Sequence, residues 1–271
     1  MKSFFRFLVF SNILVAFCVL ALTLSTEILL GIQANYKISQ FVFFATLFAY
    51  NFQRVVRIRK GKTHIRKAWL NHHKIAIYNL MLLGALISVR LFFGFQPATQ
   101  IAIVVSGALS IGYPFGLRKI PSSKIFIISL VWTISSMLLV LLENQILLSQ
   151  NSILHLFARF LLIFAITVPF DIRDLNFDNK ELRTIPLVFG ALKARIIAIS
   201  ALFICAIITV FQYIHEDINS PNLLALILLY FVSSIFIAKS DVSKREMYFS
   251  FWVESLSILG YIFLLIAALI F

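Results

Sequence analysis

Acidic side chains are scarce in this chain, and their absence is uneven. The sequence has 11 Asp and Glu residues against 24 Lys and Arg residues, and no carboxylate occurs between Glu27 and Glu143. His64, His72 and His73 lie inside that stretch, so they have no acidic or thiol neighbour in the sequence to complete a metal site. We therefore interpret these histidines as residues of the membrane interface.

Cysteine and polar linkers are equally scarce. Cys18 and Cys205 both lie in apolar segments, where a free thiol is usually a small packing residue, so the sequence indicates no disulfide framework. No segment is long and polar enough to form a separate soluble domain, and no Ser/Gly/Pro-rich linker divides the chain. We predict a single domain over residues 1–271.

What the chain does have is hydrophobic sequence. Apolar residues make up 61% of it, charged residues only 13%, and the mean hydropathy is +0.97, which indicates a polytopic membrane protein. We predict an all-α fold with nine transmembrane helices, of which the short second and fourth should extend past the hydrophobic edge. The predicted segments are Phe7–Leu24, Ile38–Tyr50, Ile75–Phe95, Thr99–Tyr113, Ile125–Leu142, Ile153–Phe170, Ala194–Ile214, Leu223–Ala238 and Phe249–Phe271.

The distribution of basic residues predicts the orientation. All but three of the 24 Lys and Arg residues fall at the amino terminus or in the loops after the second, fourth, sixth and eighth segments. By the positive-inside rule this face is cytoplasmic and the carboxyl terminus is outside, and we expect the inner membrane of a bacterium. The exceptions are Lys37, Arg90 and Arg159, and Arg159 is expected to snorkel from its helix to the outer surface.

The net charge of +13 also bears on partners. A basic chain can bind nucleic acid, but basic residues beside membrane helices are explained by topology and by contact with anionic lipid heads. We therefore expect membrane lipids, and no nucleic acid, among the partners.

The segment Asp171-Ile-Arg-Asp174-Leu-Asn-Phe-Asp178 directly follows the sixth apolar run. Its three aspartates are spaced i, i+3 and i+7, which places them on one face of a helix, where they can share a divalent cation. Carboxylates held together near hydrocarbon need a positively charged partner, and a metal ion that carries a diphosphate would serve. The alternative is a solvated helix end at the membrane surface.

These residues, together with Arg183-Thr-Ile-Pro-Leu-Val-Phe-Gly190, resemble the second aspartate-rich motif of the UbiA superfamily of intramembrane prenyltransferases. That motif reads D-x-x-D-x-x-x-D, followed by a basic residue, Thr, Leu, Pro and Gly. Tyr113-Pro-Phe-Gly-Leu-Arg118-Lys119 is similar to the family segment Y-x-x-x-L-K/R. The resemblance covers nearly the whole chain, and it implies helices that surround a central cavity open to the cytoplasm.

The chain departs from the family at the first motif, N-D-x-x-D-x-x-x-D, which should close the second helix. Asn51 is kept there, but the three aspartate positions read Phe52, Val55 and Arg59. The chain therefore lacks the ligands for the second metal that the family pattern implies.

The resemblance implies Mg²⁺-assisted transfer of a prenyl group from a prenyl diphosphate to an acceptor, which would be aromatic. Asp171, Asp174 and Asp178 are the implied catalytic residues and metal ligands. The candidate substrate-binding residues are Asn51, Arg54, Arg57, Arg59, Tyr113, Arg118, Lys119 and Arg183, although Tyr113 is equally typical of an interface anchor.

Several alternatives remain open from the sequence. Arg54, Arg57 and Arg59 could contact the diphosphate in place of the missing metal, since guanidinium groups bind phosphate in a bidentate fork. They could instead pair with the aspartates and lock two loops together. The chain would then be a non-catalytic member that binds a polyprenyl lipid or a protein partner. A small transporter is a third hypothesis, but the sequence shows no matching pair of Gly/Pro-broken helices. The acceptor and the donor chain length are not readable from motifs.

Overall fold

The computed structural model describes residues 2–59, 67–115, 120–177 and 180–270, and all regular structure within them is helical. The α-helices are α1 Lys2–Phe10, α2 Ile13–Leu29, α3 Tyr36–Arg59, α4 Lys67–His72, α5 Lys74–Phe92, α6 Pro97–Gly112, α7 Ser123–Thr133, α8 Leu139–Glu143, α9 Gln150–Arg173, α10 Ile185–Ile214, α11 Ser220–Ala238 and α12 Leu256–Ile270. The all-α prediction is confirmed for these residues.

The long apolar helices make this an integral membrane protein. Within the described ranges, six helical segments are long and apolar enough to cross a bilayer, and the bent pair α1–α2 would be a seventh. α6 is apolar but has only 16 residues. α3 carries a charged end. Each predicted segment coincides with a helix or a helix pair, but the count of nine spans stays a prediction.

The first predicted segment does not form one straight helix. α1 meets α2 at a bend of 70°, and Asn12 at the junction has left-handed backbone angles, with φ of 62°. Its side-chain amide donates to Asn51 Oδ1 of α3 at 2.8 Å. The hydrophobic pattern of this segment does not reveal the bend, because the contact that accompanies it involves Asn51, which is distant in the sequence.

The two short predicted helices behave differently. α3 continues to Arg59, well past the apolar run that ends at Tyr50, as predicted. α6 ends at Gly112, within its predicted apolar run. The following turn contains Pro114, which has no N–H to continue a helical hydrogen-bond ladder.

A proline and two π-helical turns interrupt three of the long spans. Pro169 is inside α9 and cannot donate the helical hydrogen bond to the carbonyl of Ala165. A π-helical turn, Ile134–Leu138, joins α7 to α8, and a second, Tyr248–Val253, precedes α12. Such π-turns are frequently found at functional sites, and Ser250 and Glu254 in and just after the second one line a cavity that is described below.

Two apolar cores hold the bundle together. One is built mainly from α9, α10, α11 and α12, with Ile172, Leu202 and Ile237 among its fully buried side chains. The other is built mainly from α2, α3 and the α7–α8 span, and α9 joins it through Ile163. α9 thus packs in both cores, which fixes the position of the aspartates at its carboxyl end.

Arg159 corrects an expectation about α9. Its side chain is only 6% exposed and lies within the bundle, so it does not snorkel to the surface. Nη1 donates to the carbonyl of Leu22 on α2 at 2.7 Å. Because a backbone acceptor on a neighbouring helix is within reach, the guanidinium stays inside.

Gly190 marks a kink in α10. Its backbone has φ of 81° and ψ of 160°, which separates a short first segment, beginning at Ile185, from the long remainder of the helix. That region of backbone space is accessible almost only to glycine. The backbone conformation at the kink therefore explains why a glycine occupies position 190, directly after the Arg183–Phe189 segment.

We expect Gly190→Ala to lower the free energy of unfolding by about 1–3 kcal/mol, because a Cβ is strained at this backbone conformation although no atom lies within 4 Å of it. Gly107→Ala is the matched control. Gly107 is in α6, and a methyl group added there would also meet open space, so alanine should raise stability by roughly 0.5–1 kcal/mol through helix propensity. Denaturation of the purified protein in mixed micelles measures both, and equal effects of the two variants would contradict the assignment.

Candidate active site at the end of α9

The carboxyl end of α9 presents two of the predicted aspartates. Asp171 lies in the last turn of the helix and Asp174 begins the 3₁₀ turn Asp174–Asn176 that follows. The side chain of Asp171 is 1% exposed, whereas that of Asp174 is partly exposed. A carboxylate so deeply buried in an apolar bundle requires a compensating cation.

Lys124 supplies that cation. It is the second residue of α7, and its Nζ lies 2.6 Å from Asp171 Oδ1 and 3.3 Å from Asp174 Oδ2. One ammonium group therefore bridges both carboxylates and joins α7 to α9.

Arg173 binds Asp174 from the other side. Its Nε donates to Oδ1 at 2.8 Å and its Nη2 donates to Oδ2 at 3.2 Å, which is a bidentate arrangement. Its Nη1 reaches both carboxylate oxygens of Glu246, at 3.3 and 3.4 Å. Ser250 Oγ donates to Glu246 Oε1 at 2.9 Å, so the network extends to the second π-turn.

A cavity of about 200 Å³ opens beside this network. Asp174, Arg173 and Lys124 form one wall, and Arg54 and Arg57 from the last turns of α3 also line it. Gln53 is held on the same side, since its Nε2 donates to the carbonyl of Ser110 at 2.8 Å. Cationic groups from α3, α7 and α9 therefore converge on one space.

Aromatic and aliphatic side chains make up much of the remaining cavity lining. Trp132 Nε1 donates to the hydroxyl of Tyr50 at 2.6 Å, which fixes two aromatic rings in the lining. Tyr113 is 6% exposed and lines the same space, so its side chain is buried within the bundle. The apolar lining residues are Val15, Ile127, Ile128, Val131, Ile166 and Phe170.

The predicted site residues divide into three groups. Arg54, Arg57, Tyr113 and Asp174 line the cavity, and Asp171 joins its charged wall through Lys124. Asp178, Arg118 and Lys119 lie outside the described residues.

The third group, Asn51, Arg59 and Arg183, is not among the residues that line the cavity. Asn51 is fully buried and donates to the carbonyls of Ser11 and Leu47, both at 2.9 Å, besides accepting from Asn12. Arg59 Nη2 donates to the hydroxyl of Tyr78 at 2.8 Å. The third, Arg183, has an exposed side chain, a φ of 43°, and a carbonyl that accepts from Ser122 Oγ at 2.9 Å. Their assignment to substrate remains a prediction.

Sequence reasoning does not select Lys124 or Arg173. The predicted topology alone accounts for both, since the sequence assigns each of them to a basic loop on the face predicted to be cytoplasmic. Arg173 could have been found, because it separates the two aspartates of the D-x-x-D pattern. Lys124 is 47 positions from Asp171 in sequence, and only helix packing brings them together.

We expect Lys124→Met to lower the free energy of unfolding by about 3 kcal/mol, because it leaves Asp171 buried without its partner. The double variant Lys124→Met/Asp171→Asn should lose less stability than the sum of the losses of the two single variants, since the buried asparagine that replaces Asp171 carries no charge. Lys193→Met, which removes an exposed lysine of α10, is the control and should be near neutral. Additive single changes in a denaturation cycle would contradict the ion pair.

The comparisons with known proteins agree with this architecture. Residues 70–256 match the model of the UbiA prenyltransferase family. No functionally curated protein matches the chain. Among solved structures, the chain is similar to a digeranylgeranylglyceryl phosphate synthase, with a TM-score of 0.65, 13% identity and coverage of 99% of both chains.

Two archaeal homologues have the same fold. A UbiA homologue from Archaeoglobus fulgidus bound to DMAPP and Mg²⁺ has a TM-score of 0.66 and 14% identity, with coverage of 98% of this chain and 100% of that one. The same homologue has been solved with GPP and Mg²⁺. A UbiA homologue from Aeropyrum pernix has a TM-score of 0.61 and 13% identity, over 97% and 96% of the two chains. The family model covers well over half of this chain, and the chain therefore belongs to the UbiA prenyltransferase family.

Proposed function

We propose that the chain binds a prenyl diphosphate in the cavity beside α9 and transfers its prenyl group to an acceptor. The observation that carries the proposal is the convergence of Arg54 and Arg57 with the Lys124–Asp174–Arg173 network above an apolar lining. Support also comes from the Archaeoglobus fulgidus homologue, which binds GPP and DMAPP.

The charges of the cavity suit a diphosphate. Four cationic side chains line it, Arg54, Arg57, Lys124 and Arg173, whereas the carboxylates among the described lining residues are Asp174 and Glu254. The excess of positive charge favours a multiply charged anion, and arginine binds phosphate oxygens in a bidentate fork. In this proposal Arg54 and Arg57 orient the diphosphate against the wall formed by α9.

The apolar lining suits the prenyl chain. Aliphatic side chains from α7 and α9 would bury the isoprenoid, which contributes to binding in proportion to the apolar area removed from water. The ring faces of Tyr50, Trp132 and Phe170 would stabilise positive charge that develops at the allylic carbon.

The donor set fits one Mg²⁺ ion but not two. Asp171 and Asp174 provide carboxylate oxygens, with Asp178 outside the described residues, and Mg²⁺ is commonly held by one or two carboxylates together with substrate phosphates. The last turns of α3 have Phe52, Val55 and Arg59 at the family's aspartate positions, so these three positions offer no carboxylate for a second ion. In the described part of the chain no group of three or more His, Cys, Asp or Glu side chains could hold a metal. When bound, Mg²⁺ would help to neutralise the departing diphosphate.

The chain's own residues would carry the remaining steps. The allylic C–O bond breaks with its electron pair passing to the diphosphate, and Arg54, Arg57 and Lys124 stabilise the charge that accumulates there. A bond forms between the allylic carbon and the acceptor, which then loses a proton. Glu254, which lines the same cavity, is the carboxylate that we assign to accept it.

The orientation is part of the proposal. By the positive-inside rule, the basic loops favour a cavity mouth, where α3 and α9 end and α7 begins, on the cytoplasmic face of a bacterial inner membrane. The amino terminus would be on that face and the carboxyl terminus outside. A soluble prenyl diphosphate would then enter from the cytoplasm, while a lipid-soluble acceptor would enter from the bilayer.

Titration of geranyl diphosphate into the purified protein tests the proposal. We expect Asp174→Asn to weaken binding about tenfold or more when it is measured with Mg²⁺. Arg57→Gln should weaken binding by a similar factor whether Mg²⁺ or EDTA is present. A hydrogen bond to a charged group contributes roughly 1.5–3 kcal/mol, which corresponds to such a factor. Isothermal titration calorimetry measures both.

Two matched variants serve as controls. Asp241→Asn removes an exposed aspartate whose pKa is held below its usual value by hydrogen bonds from the backbone N–H and the hydroxyl of Ser243, so it is also ionised at neutral pH. Arg245→Gln removes an exposed arginine outside the cavity. Neither should change the affinity.

The same titration separates the alternative function. If the chain is a non-catalytic member that binds a polyprenyl lipid or a protein partner, binding of geranyl diphosphate will be absent or indifferent to Mg²⁺ and to Asp174→Asn. Formation of a prenylated product from radiolabelled geranyl diphosphate and an aromatic acceptor would identify the chain as an enzyme.

A further inference from the structure

A second, smaller cavity lies in the half of the bundle remote from Asp171. Its volume is about 30 Å³, and helices α2, α9, α10, α11 and α12 surround it, with Met137 of the first π-turn. Its polar lining residues are Ser25, His155, Arg159, Thr209, Gln212 and Tyr230. The proposed prenyl chemistry uses none of them.

Arg159 carries a positive charge into this cavity. The hydrogen bonds of its guanidinium both use Nη1, to the carbonyl of Leu22 at 2.7 Å and to Ser136 Oγ at 3.5 Å. In the described part of the chain no acceptor lies at its Nε or Nη2, and no carboxylate lies within ion-pair distance. A buried guanidinium with neither counterion nor full hydrogen bonding is costly.

His155 provides a second and independent observation. It lies one helical turn before Arg159 on α9, is only 5% exposed, and lines the same cavity. Its Nε2 is buried and has no hydrogen-bond partner among the described residues. Two neighbouring side chains that line the same cavity thus have unused polar atoms.

The other polar groups of the lining do not satisfy these atoms. The hydroxyls of Ser25 and Thr209 donate to carbonyls of their own helices, Ala21 at 2.8 Å and Cys205 at 2.9 Å. Gln212 donates to Asn151 Oδ1. No Asp or Glu is present among the described residues of the lining, so the cavity contains a fixed positive charge and no negative one there.

We propose that this cavity binds a small inorganic anion of halide size, held by Arg159 Nε and Nη2 and by the His155 ring. Water molecules would satisfy the donors but would leave the charge uncompensated. The volume corresponds to two or three water-sized spheres, so it admits a halide ion but excludes a phosphate headgroup with its glycerol and acyl chains. The anion would fix α2 and α9 together, independently of prenyl diphosphate binding.

Chloride dependence of thermal stability tests the proposal. The purified full chain is unfolded in detergent at constant ionic strength while sodium gluconate is exchanged for sodium chloride. We expect chloride to raise Tm by about 4 °C at saturation, because a ligand that binds only the folded state stabilises it. Arg159→Gln should remove this increment, whereas Arg90→Gln, which removes an exposed arginine of α5, should retain it.

A measurement on the unmodified protein keeps the test decisive if Arg159→Gln does not fold. Crystals grown in sodium bromide should give an anomalous difference peak beside Arg159. A Tm indifferent to chloride, together with no bromide peak, would mean that the cavity holds only water and would overturn the proposal. Geranyl diphosphate binding is measured separately, so failure here leaves the proposed function untouched.

Discussion

Neutralisation of a buried carboxylate is the interaction on which the site depends. Asp171 lies almost fully inside an apolar bundle, where an isolated negative charge would be unstable, and Lys124 meets it at 2.6 Å. This contact determines where α7 begins relative to the end of α9. Asp174 then binds the same lysine and also Arg173, so the charged wall of the cavity is one connected network that ends at Glu246 and Ser250.

The structure suggests a physical consequence of the missing first aspartate motif on α3. A family member with two aspartate motifs would hold two cations between facing carboxylates. This chain has arginines on α3 facing the carboxylates of α9, and it also has Lys124 among those carboxylates. The arginines of α3 thus stand where the family pattern implies the second metal ion, while the aspartates of α9 are retained. Under the proposed function, part of the positive charge that the diphosphate meets would come from these arginines, and part from the one Mg²⁺ ion.

Buried charged groups have different partners in the two halves of the bundle. At the end of α9 every charge in the network has a partner of opposite sign at short distance. In the remote half, Arg159 has carbonyl and hydroxyl contacts but no carboxylate in the described ranges. Interruptions of regular helix accompany both regions, with Pro169 before Asp171 and a π-turn that contributes Ser136 beside Arg159. Irregular backbone in a membrane bundle exposes polar groups, and these are tolerated where protein surrounds them.

The sequence by itself determined the helical membrane fold, because apolar runs of bilayer length leave few alternatives, and it identified the family through the spacing of the aspartates and the segment that follows. It also selected Arg54, Arg57, Tyr113 and Asp174, all of which line the cavity, since a local pattern at a helix end reports on what that end presents. Only the tertiary structure decided that Lys124 is the partner of Asp171 and Asp174, that Asn51 contacts Asn12 at the bend between α1 and α2, and that Arg159 stays inside. Each of these contacts joins segments that are far apart in the chain. The hydrophobic pattern of a sequence shows that a helix forms, but it does not show which other helix packs against it.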